Sequence, residues 1–227
     1  MFEAHVALPP GPPRPRPGVV LAHDWSGLHD GIREIAERIA GLGYVCFALD
    51  VYGQGVRGDP LGDNAHLMDP LLADRGLLRR RLLASLTAAA RHPSIDGQPL
   101  AALGYCFGGL CALDLARAAP PQLRGAISVH GGLRAPESLP LGPIAASVLL
   151  LHGWEDPVAP PPDVLAVARE LTEAGADWQL HAYGHAMHAF TFDRANAPER
   201  GLLHDPIAAR RAWATLTGFL AEVLEPA

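Results

Sequence analysis

The sequence predicts an α/β domain, a mostly parallel sheet covered by helices on both faces, from three observations. Near-continuous apolar runs recur at residues 18–22, 44–49, 99–103 and 147–151, as strands buried on both faces require. Stretches with apolar residues at helical spacing separate them, the alternation that builds a parallel sheet. Polar, often glycine-containing loops follow the runs, and such sheets bind ligands outside the C-terminal ends of their strands.

Each element follows in order. Residues 3–8 suit a short edge strand. The stretch 9–18, dense in proline, breaks any regular element and serves as a stiff connection. The strand at 18–22 ends in the loop His23-Asp24-Trp25-Ser26-Gly27-Leu28. A helix over 29–42 carries Ile32, Ile35, Ala36 and Ile39 on one face and is closed by Gly43. The strand at 44–49 runs into Asp50-Val51-Tyr52-Gly53, and residues 54–64 form a Gly-, Asp- and Pro-rich loop. One long helix is expected over 69–91, with Arg79-Arg80-Arg81 decorating a solvated face. There follow a strand at 99–103, a helix at 110–117, a strand from 125, a proline-punctuated loop at 133–145 and a strand at 147–153. A helix at 162–174 ended by Gly175, a strand at 177–182 and a helix at 206–224 complete the chain. No repeat or linker divides residues 1–227, so they read as one domain.

Composition narrows the function classes. A formal net charge of −6 with 49% hydrophobic residues suits a soluble protein and gives no reason to expect nucleic acid or an anionic membrane as partner. No apolar stretch is long enough to span a bilayer, and the N-terminus lacks the pattern of a signal peptide. Three cysteines, Cys46, Cys106 and Cys111, without a C-x-x-C pair fit free thiols in the cytoplasm. Cys46 and Cys111 read as core residues. Nothing demands more than a monomer or a small homo-oligomer.

The chemistry centres on Leu103-Gly104-Tyr105-Cys106-Phe107-Gly108-Gly109. A strand turns into a helix there, with a cysteine at the corner. Gly-x-Cys-x-Gly in that setting is a nucleophile elbow with sulfur in place of serine oxygen. A lone cysteine is by default a packing residue; strand, glycine, cysteine, glycine and helix in sequence favour the nucleophile. Four strand-end loops present Asp24, Cys106, Asp156 and His188 on one edge of the sheet. The order nucleophile, acid, histidine is that of α/β-hydrolases. His188 would act as the base, with His185 three residues earlier competing for the role, and Asp156 would hold the imidazole. The backbone N–H groups of Phe107 and Trp25 would face the oxyanion. His23, His130, His152 and His185 show no metal-ligand spacing, so no metal is expected.

Three motifs then carry a resemblance. Gly104-Tyr105-Cys106-Phe107-Gly108-Gly109, His152-Gly153-Trp154-Glu155-Asp156-Pro157-Val158 and Tyr183-Gly184-His185-Ala186-Met187-His188-Ala189-Phe190 resemble the dienelactone hydrolase (carboxymethylenebutenolidase) family, and the similarity runs over almost the whole chain. The resemblance implies an α/β-hydrolase fold without a large lid, a Cys-His-Asp triad with His188 as base, no cofactor, and hydrolysis of a small ester or lactone through an acyl-cysteine. It places Asp24 where the family's lactonases carry an acidic partner for the resting thiol, usually a glutamate. It puts Gln54 and Phe192 where those enzymes clamp a substrate carboxylate with arginines. Arg57 and Arg194 stand nearby, and with Tyr52 these residues are expected around the substrate. Two other readings are a non-catalytic small-molecule-binding protein on a hydrolase scaffold and a redox pair of Cys106 with Cys111, which the geometry of an elbow disfavours.

Overall fold

The computed structural model describes residues 1–137 and 139–225. Its frame is a seven-stranded sheet of order β1-β3-β2-β4-β5-β6-β7. The strands are β1 (Ala4–Ala7), β2 (Gly18–Ala22), β3 (Val45–Leu49), β4 (Leu100–Tyr105), β5 (Leu123–Val129), β6 (Ser147–Gly153) and β7 (Trp178–Tyr183). Only β1 is antiparallel, pairing with β3 at the edge; the other six are mutually parallel. Parallel strands need covered faces because both are removed from water. Helices α1 (Asp30–Ala40) and α6 (Pro206–Leu224) supply one cover, and α3 (Arg75–Ala90), α4 (Phe107–Arg117) and α5 (Pro161–Glu173) the other.

Alternation along the strands sorts the core. Leu103, Ile127, Val129, Leu149 and Leu151 pack with Ile32, Ile39, Leu216 and Leu220 on the α1 and α6 side. Ala102, Ala126, Val148 and Leu150 pack with Leu82, Leu86, Leu113 and Leu171 on the other. Burying each such Leu or Ile contributes roughly 1.5–3 kcal/mol. Cys46 and Cys111 are buried and unpaired, within these two clusters.

Two elements differ from expectation. The single helix expected over 69–91 is two: α2 (Ala65–Ala73) and α3, broken at Asp74. The Asp74 carboxylate accepts the Leu77 N–H at 2.7 Å, so it caps a new helix rather than continuing the old one. Of the arginine run only Arg80 is exposed. Arg81 donates to the Val51 carbonyl at 2.5 Å and lies over the Phe2 ring, which fastens α3 to the loop after β3. The segment between β7 and α6, left unassigned by the sequence, holds a small antiparallel pair, β8 (Asn196–Ala197) and β9 (Leu202–Leu203), joined by a 3₁₀ turn at Pro198–Arg200.

Helix α4 begins at Phe107, three residues earlier than expected, and all of its residues are buried. An ion cluster fixes its far end. Asp114 accepts two hydrogen bonds from Arg75, at 2.6 and 2.7 Å, and one from Arg117 at 3.2 Å. Arg117 also grips Glu170 of α5 through two bonds at 2.7 and 2.8 Å and donates to the Leu133 carbonyl. Two cations meet two anions, so the buried cluster is neutral and its charges are hydrogen-bonded, the condition under which buried charge is tolerated.

The start of α4 is held by close backbone approach. A Cβ on Gly104 would lie 2.0 Å from the Gly108 carbonyl oxygen, and one on Gly108 would lie 2.2 Å from that of Ala22. Neither obstacle is a flexible side chain. Gly104→Ala is therefore expected to lower stability by about 3 kcal/mol, the upper range for overpacking, seen as a lower urea midpoint.

Candidate active site

Cys106 stands at the corner between β4 and α4, with φ 55° and ψ −120°. That conformation is uncommon for a residue bearing a Cβ. The corner holds because the Cys106 N–H is tied to β5, donating to the Val129 carbonyl at 3.0 Å. The thiol is half-buried at the head of an eleven-residue helix, where the dipole favours negative charge.

His188, on the loop after β7, meets the sulfur with Nε2 at 3.2 Å, and its Nδ1 lies 2.8 Å from Asp156 Oδ2. Asp156, on the loop after β6, also accepts the Val158 N–H through Oδ1 at 2.8 Å. Three strand-end loops thus bring thiol, imidazole and carboxylate into one hydrogen-bonded chain. The Asp156 contact requires the proton on His188 Nδ1, leaving Nε2 to exchange a proton with sulfur. Burial opposes charge on the ring, but the Cys106 sulfur and Asp156 outweigh it and push the His188 pKa up to about 10. Burial opposes charge on Asp156 too, yet the bond from His188 holds its carboxyl below the usual value. His185 is elsewhere: its ring is exposed and pairs with Glu155 at 3.1 Å.

The loop after β2 behaves differently from expectation. Asp24 does not pair with the thiol. Its Oδ1 accepts the Ser26 N–H and hydroxyl at 2.8 and 2.5 Å, and its Oδ2 lies 3.1 Å from His29 Nε2. An Asp two residues before a Ser closes a local turn, and the short side chain is spent there. Trp25 is half-buried, and Tyr52 Oη donates to its carbonyl at 2.9 Å. Phe107 is the first residue of α4, so its N–H has no acceptor within the helix. The Tyr52 ring stacks on Phe107 with centroids 5.9 Å apart and planes 14° apart, and lies against His23.

The residues expected at a carboxylate clamp are placed otherwise. Arg57 is bound to Glu3, donates to the Val56 carbonyl at 2.7 Å and lies 3.9 Å from Asp50. Gln54 is exposed, and the Arg194 guanidinium sits 5.1 Å over the half-buried Phe192 ring.

Sequence reasoning missed His130 and Thr191. His130 directly follows β5, is buried, and takes a positive φ of 37°. Its Nδ1 lies 3.2 Å from the Cys106 N–H nitrogen, its Nε2 lies 2.8 Å from Thr191 Oγ1, and its ring meets His188 edge-on at 5.2 Å. Burial and the neighbouring His188 push its pKa down to about 3. A base whose folded pKa is depressed weakens the fold in acid. The unfolded chain takes up a proton near pH 6.5 and the folded one resists until about pH 3, so stability drains away across that window. His188 has the opposite sign: its contribution is full below pH 6.5 and lost as pH rises through about 10. Between pH 7 and pH 4.5, wild type is expected to lose about 2 kcal/mol more than His130→Asn, measured by urea unfolding.

Comparison with known proteins places this geometry in context. The profile of the Dienelactone hydrolase family matches residues 2–224. A Yersinia pestis protein provisionally named a carboxymethylenebutenolidase is 31% identical over 204 residues, covering 85% of this chain and 75% of the relative. The solved structure of P91, described as a dienelactone hydrolase-like promiscuous phosphotriesterase from metagenomic libraries, superposes with a TM-score of 0.91 at 34% identity, covering 98% of this chain and 92% of that one. A solved structure named m3DLH gives a TM-score of 0.88 at 35% identity, over 99% of this chain and 93% of that one. With a matching profile from end to end, this chain belongs to the dienelactone hydrolase family and is a carboxylic-ester or lactone hydrolase of the α/β-hydrolase fold.

Proposed function

We propose that residues 1–227 act as one hydrolase domain that cleaves a small ester or lactone through an acyl-cysteine, with Cys106 as nucleophile, His188 as base and Asp156 as its orienting acid. The single observation that carries this reading is the chain of contacts Cys106 Sγ–His188–Asp156 at 3.2 and 2.8 Å. In the first step Cys106 Sγ bonds to the carbonyl carbon and the thiol proton resides on His188 Nε2. The carbonyl oxygen becomes an oxyanion facing the Phe107 and Trp25 N–H groups. Collapse breaks the bond to the leaving oxygen, which takes the proton from His188. Water then loses a proton to His188 as it attacks the thioester; collapse breaks the C–S bond, His188 returns that proton to the departing sulfur, and the carboxylic acid leaves and ionises in solvent. Asp156 accepts the Nδ1–H throughout and stabilises the imidazolium.

The preferred substrate is a neutral ester or lactone. Arg57, one of the arginines expected near the substrate, already serves Glu3 and lies close to Asp50, and Gln54 carries no charge. An anionic substrate would have to displace a carboxylate to gain the Arg57 guanidinium. Tyr52, stacked on Phe107, and Phe192 offer apolar surface for the acyl or alcohol part. The similarity to P91 favours a second reading in which the same nucleophile turns over phosphotriesters.

The test is intact-mass spectrometry during turnover of p-nitrophenyl acetate, with parallel rates for dienelactones and paraoxon. An adduct of one acetyl group on Cys106 is expected, with neutral aryl esters outpacing anionic lactones at least about tenfold, the worth of one poorly paired charge. Turnover with no adduct under rapid quench, and full activity after alkylation of Cys106, would sink the reading.

A further inference from the structure

We infer that His130, anchored by Thr191, is a positioning residue that sets both the nucleophile's backbone and the seat of the base. The inference rests on the assignment of Cys106 and His188 as nucleophile and base.

The tautomer follows from geometry. The Cys106 N–H can only donate, so the His130 Nδ1 that it approaches at 3.2 Å must be an unprotonated acceptor. The ring proton then sits on Nε2, where it donates to Thr191 Oγ1 at 2.8 Å. Thr191 thereby fixes which nitrogen of His130 faces the elbow. The Cys106 N–H is shared between this ring and the Val129 carbonyl at 3.0 Å. That donor is fixed at a residue with φ 55°, a conformation the surrounding structure must impose. His130's own N–H donates to the Leu151 carbonyl at 2.8 Å, so the ring is mounted on the sheet rather than on a mobile loop.

The ring also shapes the seat of the base. It meets His188 edge-on at 5.2 Å, Phe190 edge-on at 5.3 Å and Tyr105 at 5.9 Å. Its charged and titratable neighbours are His188, the Asp156 carboxylate and, more weakly, Asp24. Burial and the neighbouring base keep it neutral above about pH 3, which serves two ends. A neutral Nδ1 can accept the elbow N–H, and a neutral ring does not oppose the positive charge His188 acquires in each half-reaction.

A buried histidine that only fills space would tolerate an isosteric apolar ring. Three variants separate the readings. His130→Asn keeps an acceptor oxygen near the Nδ1 position and suits a positive φ. His130→Phe keeps the ring and removes the acceptor. Thr191→Val removes only the anchor. Each is assayed for kcat and KM with p-nitrophenyl acetate and for the pH dependence of Cys106 alkylation by iodoacetamide, beside wild type and Cys106→Ala.

His130→Phe is expected to lose about 10- to 100-fold in kcat with KM within about twofold, the scale of a small misplacement of reacting groups, and its alkylation midpoint should move to higher pH. His130→Asn should remain within about fivefold of wild type with its midpoint in place, and Thr191→Val should fall between them. Wild-type kcat and midpoint in a folded His130→Phe, or equal losses in His130→Phe and His130→Asn, would overturn the inference. If His130→Phe does not fold, Thr191→Val decides: an unchanged kcat and midpoint there would overturn it equally. Cys106→Ala keeps the two claims apart. Full activity in that variant removes the triad assignment itself, whereas an inactive Cys106→Ala beside unaffected His130 and Thr191 variants removes only the positioning role.

Discussion

Cys106→Ala is expected to lower kcat for p-nitrophenyl acetate by at least about 10⁴-fold, or roughly 5.5 kcal/mol of transition-state stabilisation. KM should change little, because the sulfur interacts more strongly with the transition state than with the bound ester. The residual rate would come from the Phe107 and Trp25 N–H groups and from positioning alone. The effect should be specific to catalysis. Cys106 is half-buried and its backbone is held from Val129, so the thermal midpoint should move by no more than about 3 °C, as for a change of about 1 kcal/mol in a chain of this size. The variant would also relieve His188 of the sulfur that raises its pKa. A titration of the His188 ring by NMR should therefore show its midpoint falling, while that of His130 stays low. A kcat within tenfold of wild type would contradict the role of Cys106.

Asp114→Ala is expected to have the largest effect on stability, about 3–5 kcal/mol, because it strands the Arg75 guanidinium in the interior and takes one of two carboxylates from Arg117. Arg75 would lose both of its carboxylate bonds, and Arg117 would keep Glu170 as its carboxylate partner together with the Leu133 carbonyl. For a chain of this length the loss corresponds to a fall of about 10 °C in Tm, measurable by calorimetry. The same change loosens α4, whose first turn carries the Phe107 N–H, so kcat should fall as well, with no change in the chemistry of the thiol. A double variant Arg75→Met, Asp114→Met tests the cause. If the penalty comes from unpaired charge, removing a cation together with the anion should restore part of the loss. A single Asp114→Ala with wild-type stability would show that the cluster contributes nothing.

The strands were legible because their apolar runs have no competing reading, and the elbow because strand, glycine, cysteine, glycine and helix had to fall in order. The break at Asp74 was less so. Its signals were Pro70 inside α2 and an aspartate able to cap, both weak against the leucine periodicity that runs through 71–86. The early start of α4 was hidden by Gly108 and Gly109, which discourage a helix by propensity but are required by the approach of Ala22 and of Gly131 to the helix. Asp24 misled because family position says nothing about side-chain reach, and Ser26 two residues on was the local clue. His130 had no signal beyond a histidine before two glycines. Its importance arises from contacts with residues 24 and 61 positions away in the chain, which no local pattern encodes. Arg57 could not be discounted from sequence, because its partner Glu3 lies 54 positions earlier.

The small β8–β9 hairpin gives the site an asymmetry between its two proton-exchanging members. His188 donates its N–H to the Gly201 carbonyl at 2.9 Å and accepts the Leu203 N–H at 3.3 Å, so it lies as a third rung beside the hairpin. Cys106 answers to the main sheet, whereas His188 answers to a surface ribbon whose paired strands are two residues each. Two-residue strands that are only half-buried open more often than a buried sheet does. Under the proposed roles, opening of this hairpin would withdraw the base while leaving the nucleophile in place. Such a molecule would be silent toward esters while the main sheet and the elbow stayed folded.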